Sequence, residues 1–385
     1  MTITRQIVAG GEGDFTTVRK ITVSGSEREV GAELAAEAAA TYGWAPVPGD
    51  PVRVRARLAW FERYWPRHHE RMLGAAESLG LDAERFHFDA LSGVPTGSGC
   101  SATFLRPSAT EEGRGLFGRN YDFFTTSATE LFAFISGEDS GGPAPGELPM
   151  ASRPYVLSHV PDDGPASTVL TMNELDGCTE GINEHGLAVA LLIANAETLG
   201  APVQAGPQVG LSPIQLPRFV LDTCATAEEA RRALLAAKHY DLGVPLHYLV
   251  ADASGDAFVW ERGAGGAEHI FDIDGDALCL TNHYLHERGA RDTDNTMLSH
   301  RRYRTLRERT AESGFSGKRL REMLDEVGFG SGAETGGVPL RTLWSTVFDL
   351  GERTMSTWFY LGDSATTGEA RRSAELTFGP GLLAG

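Results

Sequence analysis

The chain has 385 residues, 41% of them apolar and 22% charged, with a formal net charge of −18. This is the composition of a folded globular protein with room for one large domain or two smaller ones, and its acidic balance disfavours nucleic acid and anionic membrane as partners. Four cysteines, Cys100, Cys178, Cys224 and Cys279, are too few for a disulfide framework and form no CxxC pair.

In chain order, Val18–Val23 reads as a strand and Arg28–Tyr42, rich in Ala and Glu, as a helix. Pro51 suits the first turn of a second helix, in which Val54, Leu58, Phe61 and Trp65 recur at helical spacing. A third helix runs through Leu79, with Gly80 as its stop. The first hundred residues are therefore expected to be mainly helical. Beyond them, Ser101–Leu105 and Gly115–Phe123 form a hairpin pattern around the polar Pro107–Arg114. Ser167–Met172 and Leu187–Ala194 are further strands; the second is apolar on both parities, as a strand covered on both faces must be. Thr226–Glu229 is a capping-box pattern before a helix over Ala230–His239. Leu246–Ala251 and Ala257–Glu261 flank a turn, Ala277–Thr281 is a short strand, and Ser299–Arg309 and Lys318–Val327 are helical. Leu343–Asp349 and Met355–Leu361 make a last hairpin. Strands grouped as hairpins with helices between them predict an α+β fold built on antiparallel sheets.

The charged residues Arg5, Glu12, Asp14, Arg19 and Lys20 break any signal-peptide core. The longest apolar run, Gly186 to Ala194, is far shorter than the ~20 residues of a spanning helix. The expected location is cytoplasmic.

Cys100 follows Gly97–Ser98–Gly99 at the start of the first strand after the helical segment. Glycine admits backbone conformations closed to other residues. A strained Gly99–Cys100 peptide beside a thiol can undergo an N-to-S acyl shift and hydrolyse, leaving Cys100 as a new N-terminus. The freed α-amine, with an ordinary pKa near 8, then serves as the general base for its own thiol. Taken by itself a Gly–Cys pair is more often a packed cysteine at a strand start. The next strand strengthens the functional reading. Its end, Gly118–Arg119–Asn120–Tyr121–Asp122, lies beside Cys100 in an antiparallel hairpin and carries two charges that need partners if buried. Arg119 would favour the thiolate, and Asp122 would orient the amine.

These motifs, with Gly99–Cys100–Ser101–Ala102–Thr103–Phe104 and Gly181–Ile182–Asn183–Glu184–His185–Gly186–Leu187, resemble the penicillin-acyltransferase branch of the choloylglycine-hydrolase-like N-terminal-nucleophile hydrolases. Leu280–Thr281–Asn282, Ser299–His300–Arg301–Arg302–Tyr303 and Leu343–Trp344–Ser345–Thr346–Val347 continue the family's order over about residues 85 to 365. The resemblance implies a four-layer αββα sandwich of two stacked antiparallel sheets. It divides the chain into a helical prosegment or α chain, 1–99, and a catalytic β chain, 100–385, associated after cleavage between Gly99 and Cys100. It gives Cys100 the role of nucleophile, Arg119 and Asp122 that of an orienting pair, and Asn282 that of a side-chain amide in the oxyanion hole. Arg302 matches a supporting arginine, with adjacent Arg301 as the one-position alternative. The second oxyanion side chain of some relatives has no counterpart at the expected place; Asn195, the nearest amide, falls about two positions late.

The implied reaction is cofactor-free acyl transfer from a small-molecule amide or acyl substrate. Hydrolysis of a linear amide is the first expectation, and transfer of an acyl group to an amine, with acyl-CoA as a donor, the alternative. An uncleaved, non-catalytic binding relative is the rival from another class. A papain-like reading would need His159, His185 or His283 to act on Cys100. No metal is expected: His68–His69, and His283 with His286, lack ligands at a persuasive spacing. Cys178, Cys224 and Cys279 read as packing residues. Substrate contacts are expected from loops around Phe123–Phe134, Gly137–Leu148 and Gly200–Gly210.

Overall fold

The computed structural model describes residues 1–88, 99–139, 141–173, 175–194, 209–239, 245–263, 266–287, 297–335 and 337–381. The N-terminal stretch supplies β1 (Thr2–Ala9), β2 (Val18–Gly25), α1 (Glu27–Tyr42), β3 (Val47–Pro48), α2 (Pro51–Tyr64), α3 (Pro66–Leu79) and β4 (Phe86–His87). Then come β5 (Cys100–Leu105), β6 (Leu116–Phe124), α4 (Ala128–Ser136), β7 (Tyr155–Pro161), β8 (Ser167–Thr171), β9 (Glu180–Asn183) and β10 (Ala188–Ile193). The helices α5 (Gln215–Thr223) and α6 (Ala227–Ala236) precede β11 (Leu246–Ala251), β12 (Ala257–Arg262), β13 (Glu268–Asp272) and β14 (Ala277–Leu280). Last are α7 (Ser299–Thr310), α8 (Gly317–Val327), β15 (Glu334–Thr335), β16 (Val338–Asp349), β17 (Thr354–Asp363), β18 (Ala370–Arg372) and β19 (Leu376–Phe378).

Two large sheets form. One has nine strands in the order β1-β2-β7-β8-β9-β10-β11-β12-β13. The other has eight, ordered β14-β5-β6-β16-β17-β18, with β15 on β16 and β19 on β17. Pairing is antiparallel except between β2 and β7, which run parallel. Three apolar clusters separate four layers. Helices α1, α2, α3, α5 and α6 pack on one face of the nine-stranded sheet. The sheets pack on each other, and α7 and α8 cover the far face of the eight-stranded sheet. Strand alternation sorts residues between these clusters. In β10, Val189, Leu191 and Ile193 face the helices, while Ala188, Ala190 and Leu192 face the other sheet. The structure is thus the α+β sandwich of two stacked sheets.

Two regions differ from the sequence reading. The N-terminal stretch contributes four strands, not one: β1 pairs with β2, which joins the nine-stranded sheet through β7, and the short β3 and β4 pair with each other. The edge strand β1 is mostly exposed, so it lacks the apolar alternation that marks a half-buried strand. The expected loop Phe123–Phe134 is the end of β6 followed by α4, whose start is closed by a Ser127–Glu130 capping box. Gly97, Ser98, Asn195 and most of the Gly200–Gly210 loop lie outside the described residues.

Candidate active site

Cys100 opens β5, a strand buried along its whole length between β14 and β6. In the β5–β6 register Cys100 faces Tyr121 and Ala102 faces Arg119. Opposed residues of an antiparallel pair share a face, so Cys100, Arg119 and Tyr121 all point between the sheets. There the Arg119 Nη2 stands 3.7 Å from the Cys100 Sγ. The guanidinium also donates to the Leu191 carbonyl at 2.6 Å, pairs with the Glu180 carboxylate, and lies over the Tyr121 ring. Tyr121 in turn stacks on Trp344 with ring centres 3.9 Å apart. Burial works against charge on Arg119, but Glu180 foremost, with Cys100, Tyr121 and Asp122, raises its pKa above the ordinary value. The same burial pushes the Tyr121 hydroxyl pKa up.

Residues three apart on a strand face opposite ways, and Asp122 accordingly lies on the outer side of the eight-stranded sheet, beneath the helical layer. It accepts from Thr342 Oγ1 at 2.5 Å and stands 3.7 Å from the Arg302 guanidinium. Its second oxygen is buried with no hydrogen-bond partner among the described residues. Burial raises the Asp122 pKa from 3.8 to about 7, against the pull of Arg302, Thr342 and Arg119.

Asn282 lies two residues beyond the last β14–β5 pair, Leu280 with Ala102, which brings it level with Cys100. Its Oδ1 accepts from the Cys100 N–H at 2.8 Å and from Arg302 Nη2 at 2.5 Å. Its Nδ2 donates to the Ile193 carbonyl at 2.8 Å. Arg302 reaches in from the first turn of α7, also binding the Cys100 carbonyl at 2.7 Å and the Met297 carbonyl at 2.9 Å. Of the two adjacent arginines, Arg302 is buried and Arg301 is exposed. Helix α7 begins at Ser299, directly after Leu298, which has φ +51°. A left-handed conformation is costly for a leucine; here it leads into the turn that carries Ser299 and Arg302.

Both sides of the Cys100 backbone are therefore held, and its thiol faces a paired arginine. Gly99 precedes it in a tight place: a Cβ there would stand 3.0 Å from Phe329 Cε2. Cys100, Arg119, Asp122, Asn282 and Arg302 form one connected cluster, with Tyr121, Trp344 and Glu180 added by the fold. The sequence reading missed Glu180. No local pattern marks it, since β9 reads Glu-Gly-Ile-Asn, yet its carboxylate is fully buried and also accepts from Thr346 Oγ1 at 2.8 Å and Trp344 Nε1 at 3.2 Å.

The other candidates lie apart. Asn183 is the buried last residue of β9; its amide donates to the Leu221 and Cys224 carbonyls and accepts from the His185 and Leu187 N–H groups of the following turn, and Glu184 is exposed. His159 accepts from Arg218 at 2.6 Å, His185 is exposed after β9, and His283 bonds Ser299 Oγ at 2.9 Å. His68 is buried between Asp176 and Gln215. No cluster of three or more His, Cys, Asp or Glu able to hold a metal occurs among the described residues. Cys178 and Cys279 are buried, with thiol pKa values raised by burial; Cys224 is pushed up to about 11 for the same reason. No helix among the described residues is long and apolar enough to cross a membrane.

Residues 108–365 match the family model of acyl-coenzyme A:6-aminopenicillanic acid acyl-transferase. The chain belongs to this family. No curated protein matches it in sequence. Among solved structures, a mutant of conjugated bile acid hydrolase from Clostridium perfringens is similar over 72% of this chain and 96% of its own, with 14% identity and a TM-score of 0.45. Penicillin V acylase from Agrobacterium tumefaciens is similar over 70% and 84%, with 19% identity and a TM-score of 0.47. The Caenorhabditis elegans ortholog of N-acylethanolamine-hydrolyzing acid amidase is similar over 66% and 93%, with 18% identity and a TM-score of 0.41.

Proposed function

We propose that this protein is a cysteine amidohydrolase activated by its own cleavage between Gly99 and Cys100. The observation that carries the reading is the double clamp on Cys100: its N–H on Asn282 Oδ1 and its carbonyl on Arg302, with the thiol turned toward Arg119. In the first step the Cys100 sulfur attacks the Gly99 carbonyl. The C–N bond breaks, the nitrogen takes a proton to become the α-amine, and water hydrolyses the resulting thioester. This divides the chain into an α chain, 1–99, and a β chain, 100–385.

In turnover the α-amine takes the thiol proton, and the thiolate attacks a substrate amide carbonyl. The amine returns the proton to the leaving nitrogen, so the amine product departs and a thioester remains. Water, deprotonated in the same way, releases the acid and restores the thiol. Arg119 favours the thiolate, and Asp122 with Asn282 holds the amine. The assigned oxyanion role of Asn282 uses its Nδ2 hydrogens, one of which is directed at Ile193 O; the acceptor role toward the Cys100 nitrogen has the more direct geometric support. The substrate class is a small linear amide, an N-acyl amine or N-acyl amino acid.

The test is a screen of N-acyl amides against wild type and Cys100→Ala, with intact mass measured on both. Active wild type is expected as two chains, and the variant as one chain without turnover. Active protein whose 99–100 peptide is intact would have no base for this chemistry, and a single uncleaved, inactive species would favour a binding role. The family's description names an acyl-CoA acyltransferase, which favours a second reading: an amine in place of water as acceptor. Product analysis with and without an added amine separates the two.

A further inference from the structure

Behind Asn282 lies a second pair of buried polar side chains. His247 on β11 faces Glu261 on β12 in register, and both are completely buried. They point between the sheets. The His247 Nδ1 is 3.2 Å from Glu261 Oε2, and its Nε2 is 2.7 Å from the carbonyl oxygen of Thr281, at the end of β14 in the opposite sheet. That carbonyl belongs to the Thr281–Asn282 peptide. The N–H of the same peptide donates to Ser299 Oγ at 2.7 Å, and Ser299 opens the helix that carries Arg302. The peptide plane is thus fixed at both edges, by one sheet and by α7.

We propose that His247, braced by Glu261, is a positioning residue that sets the angle of the Asn282 carboxamide against the Cys100 nitrogen. The inference rests on the reading of Cys100 and Asn282 given above. Rotation of the Thr281–Asn282 peptide would swing the Asn282 side chain, which accepts from Cys100 N and Arg302 together. From the nine-stranded sheet two groups resist this: the Ile193 carbonyl holds the carboxamide itself at 2.8 Å, and the His247 Nε2 holds the peptide from which it springs. Glu261 is saturated with donors: besides His247 it accepts from the Leu285 N–H at 3.1 Å and from His286 N and Nδ1 at 2.8 and 2.7 Å. Burial disfavours its charge, but His247 and these N–H groups hold its pKa down at about 2. The carboxylate and the Thr281 carbonyl are both acceptors, so both ring nitrogens of His247 donate. Glu261 also gathers the loop after Asn282, so one carboxylate braces both flanks of that residue.

The experiment compares His247→Leu, His247→Gln and Cys100→Ala on N-acyl aminomethylcoumarin substrates, with unfolding midpoints for each. A glutamine can present an N–H near the place of Nε2; a leucine cannot. Misplacement of a reacting group by a fraction of an ångström to an ångström costs up to about 100-fold in rate. We expect His247→Leu to lose about 100-fold in kcat with little change in KM, and His247→Gln to recover to within about tenfold of wild type. Loss of kcat in both variants in step with their loss of stability would make the pair merely structural, and wild-type kcat in His247→Leu would overturn the proposal. If His247→Leu does not fold, nitrogen NMR of wild type decides. His247, assigned by its absence in His247→Gln, should carry a proton on each ring nitrogen, and an unprotonated Nε2 would overturn the assignment. Activity in Cys100→Ala would instead remove the reading on which this rests.

Discussion

Two buried clusters of charge lie in this molecule, and they are built on different terms. One joins the N-terminal helices to the nine-stranded sheet's helical layer. Arg71 on α3 lies within 2.7 Å of Glu27 and Asp222 and 2.6 Å of Asp176, and Arg67 and Arg218 complete it. Three cations meet three carboxylates. Burial acts to raise the Asp222 and Asp176 pKa values, yet Arg71 first, with Arg218 and Arg67 at Asp222 and His68 and Arg218 at Asp176, holds both below the ordinary range. The other cluster surrounds Cys100. There one Asp122 oxygen has no hydrogen-bond partner among the described residues, though the Arg302 guanidinium stands 3.7 Å away, and burial lifts the Asp122 pKa to about 7. A network of several opposed charges keeps its carboxylates ionised and locks elements together; a carboxyl whose burial outweighs its partners keeps hold of a proton.

The comparison breaks most directly at Arg71. Arg71→Ala leaves Asp176 and Asp222 buried without their main partner. Uncompensated buried charge of this kind costs about 3–5 kcal/mol. Urea unfolding should show a loss of that size, and after cleavage the first 99 residues should separate on gel filtration. A loss below about 1 kcal/mol would mean that apolar packing, not this network, holds the layers.

Asp122 tests the cluster around Cys100. A carboxyl whose folded pKa is about 7, above its ordinary 3.8, binds its proton more tightly folded than unfolded. Its contribution to stability is present in full below the unfolded value and is lost as pH rises through the folded value, the window here being about 4 to 7. In a Cys100→Ala background, which keeps the chain uncleaved, adding Asp122→Asn should remove that loss. Between about pH 4 and 7 the unfolding midpoint of the single variant should fall relative to that of the double variant. A difference independent of pH would show that Asp122 is not held this way.

Arg119→Lys keeps a charge near the thiol but cannot span Glu180, Leu191 and Cys100 together. We expect turnover about 10- to 100-fold lower, the size of effect that follows loss of a well-placed charged donor, with cleavage at 99–100 slowed as well. Wild-type turnover would show that the Arg119–Glu180 pair only fills space.

Much of this was legible in the sequence, for a physical reason. Arg119 and Asp122 stand out as charges on an apolar strand that pairs with the one opened by Cys100, whereas Asn282 and Arg302 were marked only by the family resemblance: a lone amide after a strand reads as a turn former. Pro51 and Gly80 marked the start of α2 and the end of α3, and Ala and Glu richness marked α1, but the break between α2 and α3 at Trp65 was not read, because Trp65 continues the apolar spacing of α2. Glu180 was not readable because its partner is 61 residues away, on a strand of the other sheet. His247 and Glu261 were hidden in the same way: they look like ordinary hairpin residues until the sheets are stacked. Strand β1 escaped because an exposed edge strand carries little hydrophobic alternation.

The smallest effect marks the limit of the structural cluster. Ser26 caps α1, accepting from Glu29 N–H, with the Glu29 side chain returning to the Ser26 backbone. Glu27, the next residue, joins α1 to Arg67 and Arg71. Ser26→Ala removes the cap and should cost about 1 kcal/mol. Because Arg71 still anchors Glu27 from α3, the helix start should fray without releasing the layer, and amide turnover should be unchanged. Were turnover to fall with so small a loss of stability, the two clusters would be coupled through the nine-stranded sheet, and the ion-pair network around Arg71 would have a part in catalysis beyond holding the layers together.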